Sequence, residues 1–268
     1  MVRRTLTAAL LLVIVVPAVL MGGAAYAFLV AAFVGMAAWE YVAMFRQREY
    51  QPSAAILVAA VLLIILTRAF WTNLSGPVFT LSVLAAMVFH LLRFERGRQL
   101  AALDLVITLG GMVYMGWVAA YFIDLRALPD GAWWLLLVFI IVWVADAMAY
   151  FVGVRFGNHK MLARLSPKKS WEGYLSGIVA GTLVAGLLAV LAGQSGILRL
   201  DLWRTLGLGL VLSSLTTLGD LGESLFKRFA GMKDSGSFLP GHGGAFDRID
   251  SLIWAGVLGY FWIRYLML

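Results

Sequence analysis

Long apolar runs separated by short polar segments occupy most of the chain. A helix needs about 20 apolar residues to cross a bilayer, and these runs are continuous, without the alternation of barrel strands. Because backbone inside lipid must be helical or part of a closed barrel, the pattern predicts an all-α, polytopic transmembrane helical bundle. We predict about nine spans, at residues 6–20, 24–45, 54–70, 78–92, 103–123, 133–154, 174–193, 202–218 and 252–268.

The first apolar run permits two interpretations. Arg3 and Arg4 precede it, and the small residues "AAYA" at 24–27 resemble the cleavage site of a signal peptide. The later runs already commit the chain to the membrane, so we favour a first transmembrane helix. Pro17 and the glycines at 22–23 fit a short turn before the second helix, with one long bent helix as the alternative.

Composition and charge indicate how the chain is oriented in the membrane. The 268 residues are 62% hydrophobic and 13% charged, with a formal net charge of +7. With the N-terminus in the cytoplasm, 16 of the 21 lysine and arginine residues fall on the cytoplasmic side, as expected for membrane proteins. The polar segments 155–173 and 219–251 are then cytoplasmic. Such a surface favours anionic lipid headgroups, whereas basic residues spread over membrane loops argue against nucleic acid.

Two absences from the sequence narrow the function. The chain contains no cysteine, which excludes disulfides and zinc–thiolate sites. No internal repeat is visible, which argues against a transporter built from duplicated halves. We therefore expect one integral membrane unit, with N-terminal transmembrane helices at 1–130 and a catalytic transmembrane region at 131–268. Its chemistry is expected in the segments 155–173 and 219–251.

Several ionisable residues lie inside or beside the apolar runs. Glu40, His90 and Asp104 are close to the ends of predicted helices, where an interfacial position explains them. Asp146 differs, since it lies inside an apolar run with Tyr150 one turn later. An ionisable group at that depth is costly unless it is paired or hydrated, so Asp146 is a functional candidate. A structural hydrogen bond between helices is the alternative.

The segment 155–173, "RFGNHKMLARLSPKKSWEG", is rich in basic residues and precedes a predicted helix. Ser170 is placed to cap that helix, and the N-terminal amides of a helix favour a phosphate. Lys168 and Lys169 add positive charge beside it. The segment therefore predicts an anion-binding loop, with an ordinary positively charged cytoplasmic loop as the alternative.

Two sets of carboxylates flank the glycine-rich stretch "PGHGG" at 240–244. Asp247 and Asp250 are spaced i, i+3 at the start of the last span, so we expect both to face one way. Carboxylates and a hydroxyl without cysteine suit Mg²⁺ rather than zinc, and with cations nearby they suit phosphoryl or nucleotidyl transfer. No Walker-type loop and no GxGxxG motif occurs. If the first part of the polar segment 219–251 is helical, one face of that helix presents four polar residues, namely Asp220, Glu223, Ser224 and Lys227.

This part of the chain carries a long ordered motif, namely Ser224-x-x-Lys227-Arg228, Lys233-Asp234, Pro240-Gly241-His242-Gly243-Gly244 and Asp247-Arg248-x-Asp250-Ser251. The motif resembles the signature of the phosphatidate cytidylyltransferases, also called CDP-diacylglycerol synthases. Three further pieces agree with it, namely Asp146-Ala147-x-Ala149-Tyr150, Ser166-Pro167-Lys168-Lys169 with Trp171-Glu172-Gly173, and Gly219-Asp220 with Glu223-Ser224. Together they cover residues 140–255, and the N-terminal half is matched only by its hydropathy.

The resemblance implies a reaction, a cofactor and a location. CTP and phosphatidic acid would give CDP-diacylglycerol and pyrophosphate, with Mg²⁺, in phospholipid biosynthesis. Whether a monovalent cation completes the metal site is left open. The resemblance also implies a homodimer of multi-span subunits, each with a polar cavity that faces the cytoplasm. The expected location is a bacterial inner membrane, where membrane lipids would be further partners of the protein.

The resemblance also implies roles for individual residues. Asp220, Ser224 and Asp247 resemble the metal-binding residues. The catalytic residues implied are Asp146, Lys227, Arg228 and Asp250. The substrate-binding residues implied are Lys168, Lys169, Ser170, Lys233, His242, Gly243, Gly244 and Arg248.

The sequence departs from the family pattern at two positions. Ala245 stands where a bulky aliphatic residue is usual, and Ser170 stands where threonine is usual. Both changes are small and bear on fine specificity more than on activity. The alternatives for the whole protein are another CTP-dependent membrane lipid transferase, a lipid kinase, a transporter or a scaffold.

Overall fold

The chain is almost entirely helical in the computed structural model, which describes residues 2–195, 198, 200–236 and 243–268. Two π-helical segments, Met112–Val118 and Ile263–Met267, continue α5 and α11 respectively. The helices are α1 (Val2–Met21), α2 (Gly23–Arg46), α3 (Ala54–Phe70), α4 (Thr72–Glu95), α5 (Ala101–Gly111), α6 (Tyr121–Ala127), α7 (Gly131–Phe156), α8 (Trp171–Ser195), α9 (Leu202–Leu215), α10 (Thr217–Ala230) and α11 (Phe246–Trp262).

The predicted fold class is confirmed, whereas the predicted count of spans is not. Within the described part of the chain, six helical segments are long and apolar enough to cross a membrane. The stretch Leu12–Met21 of α1 and the whole of α3 are apolar but shorter. The six long segments are Gly23–Arg46, Thr72–Glu95, Ala101–Ala127, Gly131–Phe156, Trp171–Gln194 and Leu202–Ala230.

The boundaries of the elements follow from local sequence. Gly22 has φ 65° and separates α1 from α2, as the predicted turn requires. The segment 155–173, predicted as a loop, contains an antiparallel hairpin of β1 (Lys160–Leu162) and β2 (Ser166–Ser170). At its end the Ser170 hydroxyl accepts a hydrogen bond from Gly173 N at 3.3 Å, so the predicted cap of α8 is confirmed.

The chain divides into two compact units. Unit 1 contains Met1–Asp124 and Phe226–Ile249, and unit 2 contains Leu125–Leu225 and Asp250–Leu268. In unit 1, α3 packs against both α2 and α4. A cluster of aromatic rings also joins α2 to the later part of the unit, because the rings of Tyr41 and Phe226 are 5.3 Å apart and those of Phe226 and Phe246 are 6.4 Å apart.

Unit 2 has α8 packed between α7 and α9. Small residues allow this close approach, as is usual where helices pack in membranes. A Cβ atom at Gly173 would lie 2.5 Å from Ala149 O, and one at Gly181 would lie 1.9 Å from Ser213 Oγ. The small residues of α8 therefore let its backbone approach α7 and α9 closely.

Candidate active site

Some of the predicted site residues fall into two groups, one in each compact unit. The acidic group, in unit 2, consists of Asp220, Glu223 and Asp250. The Asp247 group, in unit 1, consists of Glu40, Lys227, Ser235 and Asp247. Helices α10 and α11 each supply residues to both groups, which is why the motif of residues 219–251 runs through both.

The acidic group brings three carboxylates to one place. One oxygen of each of Asp220, Glu223 and Asp250 lies within 4.8 Å of the others. Glu223 is buried, and the other two residues are half-buried. Three carboxylate oxygens at this spacing are hard ligands of the kind that Mg²⁺ binds, so the residues present fit the predicted divalent ion.

Gly219 explains how Asp250 comes so close to α10. A Cβ atom at position 219 would lie 2.3 Å from Asp250 O and 2.8 Å from the Trp254 ring. No other residue type fits at this contact without moving one of the two backbones. The glycine of the Gly219-Asp220 pair is therefore required by packing, and it brings the carboxylate of α11 toward those of α10.

Asp220 has a partner on each carboxylate oxygen. Ser224 donates its hydroxyl to Oδ1 at 3.2 Å, one turn along α10. Lys169 Nζ lies 2.8 Å from Oδ2, with the lysine side chain 25% exposed and the aspartate side chain 35% exposed. The hairpin thus places a cation beside the acidic group, while anion binding by the segment 155–173 stays a prediction.

The Asp247 group is built around one carboxylate at the start of α11, ahead of the predicted span 252–268. Lys227 Nζ donates to Oδ1 at 2.7 Å, while Ser235 N and Gly244 N donate to Oδ2 at 2.9 and 2.8 Å. Burial raises the pKa of Asp247, but these hydrogen bonds lower it by more, and the result is a fall from 3.8 to about 2. Asp247 is therefore ionised at every physiological pH.

Two glycines shape the backbone that approaches Asp247. Gly243 has φ +80°, a conformation that side chains other than glycine rarely adopt. A Cβ atom at Gly244 would lie 2.2 Å from Ser235 Oγ and 2.3 Å from Glu40 Oε2. The paired glycines of the motif serve this close approach. His242, predicted to bind substrate, lies outside the described residues.

Glu40 is the residue that sequence analysis missed. It was predicted to be interfacial, and the structure shows it 6% exposed, with hydrogen bonds from Ser235 Oγ, Ala245 N and Phe246 N, each at 2.9 Å. The available signal was a carboxylate inside an apolar helix, the same signal that singled out Asp146.

The remaining predicted residues are less enclosed. Asp146 lies at the surface of α7, and its carboxylate interacts electrostatically with Lys169 and Asp220. Arg228 is exposed and donates to Met232 O at 3.4 Å. Three further predicted cations are exposed, namely Lys168, Lys233 and Arg248.

The predicted metal ligands and the acidic group share only Asp220. Ser224 lies beside the acidic group through its bond to Asp220, and Asp247 lies in an ion pair with Lys227. Asp250 was predicted to be catalytic rather than a ligand. Glu223 was predicted to share the polar face of α10 but was given no role.

An α-helical membrane protein with a carboxylate group suited to a divalent ion, and lysines beside its carboxylates, is typical of an enzyme that transfers phosphorylated groups. The chain belongs to the cytidylyltransferase family, because the sequence profile of that family matches residues 2–266. The resemblance found in the motifs is thus confirmed and extends to the N-terminal half.

Similar proteins carry a more specific name. The chain is 33% identical over 255 residues to a phosphatidate cytidylyltransferase of Staphylococcus haemolyticus. It is 35% identical over 257 residues to one of Staphylococcus epidermidis, and 33% identical over 255 residues to one of Staphylococcus aureus. Each match covers 93% of this chain and 94% of the relative.

Proposed function

We propose that the protein transfers CMP from CTP to phosphatidic acid, giving CDP-diacylglycerol and pyrophosphate. The observation that carries this proposal is the near full-length similarity to proteins named phosphatidate cytidylyltransferase. A phosphate oxygen of phosphatidate forms a bond to the α-phosphorus of CTP, and the bond from that phosphorus to the β-phosphate oxygen breaks. The nucleophile is already anionic, so the reaction needs no strong general base.

We propose that the acidic group holds a divalent ion, Mg²⁺, through Asp220, Glu223 and Asp250. When bound, such an ion neutralises charge on the reacting phosphates. Ser224 keeps Asp220 oriented through its 3.2 Å hydrogen bond. Ser224 and Asp247 stay predicted ligands as well. Whether a monovalent cation binds beside Mg²⁺ is left open.

The main barrier to this reaction is the repulsion between two polyanions. Positively charged side chains of the protein would reduce this repulsion. Lys169, 2.8 Å from Asp220, adds positive charge next to the acidic group. Lys227 is buried and donates to Asp247 at 2.7 Å. We propose that these two lysines, with the exposed cations, hold phosphates while positioning and electrostatics supply most of the rate. The exposed cations are Lys168, Arg228, Lys233 and Arg248.

The proposed setting is a bacterial inner membrane with the N-terminus and both polar segments in the cytoplasm. It is supported by the 16 of 21 basic residues on that side and by the need to meet CTP. We also propose a homodimer, which rests on the family resemblance and is tested by the mass of the protein in detergent.

The decisive experiment measures pyrophosphate release by the purified protein. We expect release with CTP, Mg²⁺ and phosphatidate together, and formation of CDP-diacylglycerol in equal amount. Diacylglycerol has no phosphate nucleophile, so CTP with diacylglycerol should give neither product. Phosphorylation of diacylglycerol with ATP would instead identify a lipid kinase and overturn the proposal.

A further inference from the structure

The carboxylate of Glu40 ties two parts of the motif together. Glu40 lies on α2, far away in sequence from Ser235, Ala245 and Phe246, whose side-chain or backbone donors it accepts at 2.9 Å each. These donors stand on either side of the glycine-rich stretch, since Ser235 precedes it and Ala245 follows it. One side chain therefore holds both flanks of the stretch.

The hydrogen bonds to Ala245 and Phe246 amount to a helix cap supplied from another helix. The first amides of an α-helix have no partner within the helix, and a negative charge there is favoured by the helix dipole. Helix α11 begins at Phe246, so Glu40 accepts from the amides at its very start. Any phosphate is thereby excluded from these two amides.

Ser235 connects Glu40 to Asp247. Its hydroxyl oxygen lies 2.9 Å from Glu40 Oε2 and 3.0 Å from Asp247 Oδ2. A serine hydroxyl has one proton and donates to one acceptor at a time, so the two carboxylates share that proton. A change at Glu40 must therefore alter the hydrogen bonding of Asp247.

The packing leaves Glu40 no freedom to move. It is 6% exposed, and the ideal Cβ positions at Gly236 and Gly244 come within 2.4 and 2.3 Å of its carboxylate oxygens. Its neighbour Tyr41 packs against Phe226, 5.3 Å between ring centroids, which orients this turn of α2.

We infer that Glu40 is a positioning residue for the reaction, fixing the start of α11 and the carboxylate of Asp247 through Ser235 and the first amides of α11. The effect on turnover rests on the proposed function, whereas the effect on the backbone does not. Glu40 touches neither the reacting atoms nor the acidic group in this assignment; it acts through Ser235 and Asp247.

The test compares Glu40→Gln with two matched variants. Gln keeps the size of the side chain and removes its charge. Tyr26→Phe, also on α2, removes a different buried hydrogen bond, from Tyr26 to Phe122 O at 3.1 Å. Glu95→Gln makes the same charge change at an exposed position. Hydrogen exchange of the peptide that contains Ala245 and Phe246 is measured together with kcat, KM and the unfolding temperature.

We expect Glu40→Gln to raise exchange at Ala245 and Phe246 and to lower kcat by about 10–100-fold, the usual effect of removing a residue that orients a functional group. Tyr26→Phe and Glu95→Gln should leave both quantities near wild type. Combining Glu40→Gln with Ser235→Ala should cost less than the two single losses together, because both act along one path.

Opposite results overturn the assignment in separable ways. Unchanged exchange in Glu40→Gln refutes the cap, whatever the enzyme's substrate is. Normal kcat, or an equal loss of kcat in Tyr26→Phe at matched unfolding temperature, leaves Glu40 merely structural. If the wild type releases no pyrophosphate from CTP and phosphatidate, the proposed function fails, and the exchange result still decides whether Glu40 orders this segment.

Discussion

The ion pair between Lys227 and Asp247 gives a quantitative prediction. The two charged atoms are 2.7 Å apart, and the side chains are only 11% and 8% exposed. Lys227→Met keeps a long apolar side chain but removes the cation beside a buried carboxylate. Removing one partner of a buried pair is strongly destabilising because the other charge stays buried. We therefore expect the variant to fold with a lower free energy of unfolding.

The magnitude follows from the pKa of Asp247 and its other donors. Burial raises the pKa of Asp247, but the hydrogen bonds lower it by more, so the pKa falls from 3.8 to about 2. This fall corresponds to roughly 2 kcal/mol in favour of the folded state at neutral pH. A lost partner in a buried pair typically costs about 3–5 kcal/mol. Ser235 and Gly244 still donate to Asp247, so we expect a loss of about 2–3 kcal/mol.

The assay is reversible unfolding in detergent at pH 7 for wild type, Lys227→Met, Asp247→Asn and the double variant. The control is Lys233→Met, which removes the same charge at an exposed position. It should change stability by less than about 0.5 kcal/mol. The double variant should lose less than the sum of the single losses, by about 1 kcal/mol or more.

The pH dependence has a definite sign. A carboxylate whose pKa is depressed by folding stabilises above its unfolded pKa, and this contribution disappears as the pH falls through the folded value of about 2. The difference between wild type and Lys227→Met should therefore narrow as the pH is lowered from 4 toward 2. Strictly additive losses in the double variant, or a Lys227→Met variant as stable as Lys233→Met, would refute this account of the pair.

Two further predictions concern the metal group and the topology. Asp220→Asn should lower turnover by about two to three decades and weaken the Mg²⁺ dependence while the protein still folds. Asp234→Asn, at an exposed position, is the matched control. Equal activity of the two variants would contradict the metal assignment. Single cysteines at Ser166 and Ser237, in a chain without native cysteine, should resist an impermeant thiol reagent added outside intact cells, and ready labelling of either would reverse the orientation.

Much of the fold could be predicted because it depends on local pattern. The apolar run at 54–70 matches α3 at Ala54–Phe70, and the polar stripe beginning at Asp220 lies on α10 as expected. The count of about nine spans is not confirmed, because an apolar run marks a helix without fixing its length. The hairpin at 160–170 escaped prediction because its strands are short and largely exposed, so no alternation marks them.

The contacts within the site were harder to predict, since they join residues far apart in sequence. Nothing near Glu40 indicates that its carboxylate accepts from Ser235 and Phe246. The i, i+3 spacing of Asp247 and Asp250 suggested a shared orientation. Three residues turn an α-helix by 300°, however, which leaves two side chains about 60° apart. That difference is enough for each carboxylate to have its own partners.

The partners of the two predicted metal-binding aspartates suggest different contributions to catalysis. Asp247 accepts from Lys227 on one oxygen and from two backbone amides on the other, and the amides cannot turn away without moving the backbone. Asp220 accepts from a serine hydroxyl and pairs with the partly exposed Lys169, both of which are side chains that can rotate. A cation approaching Asp247 must compete with a buried ammonium group, whereas one approaching Asp220 displaces a flexible lysine and gains Glu223 and Asp250. Among the described residues, the acidic group therefore offers the proposed divalent ion the more adaptable partners, while Asp247 holds Lys227 and the backbone at Gly244.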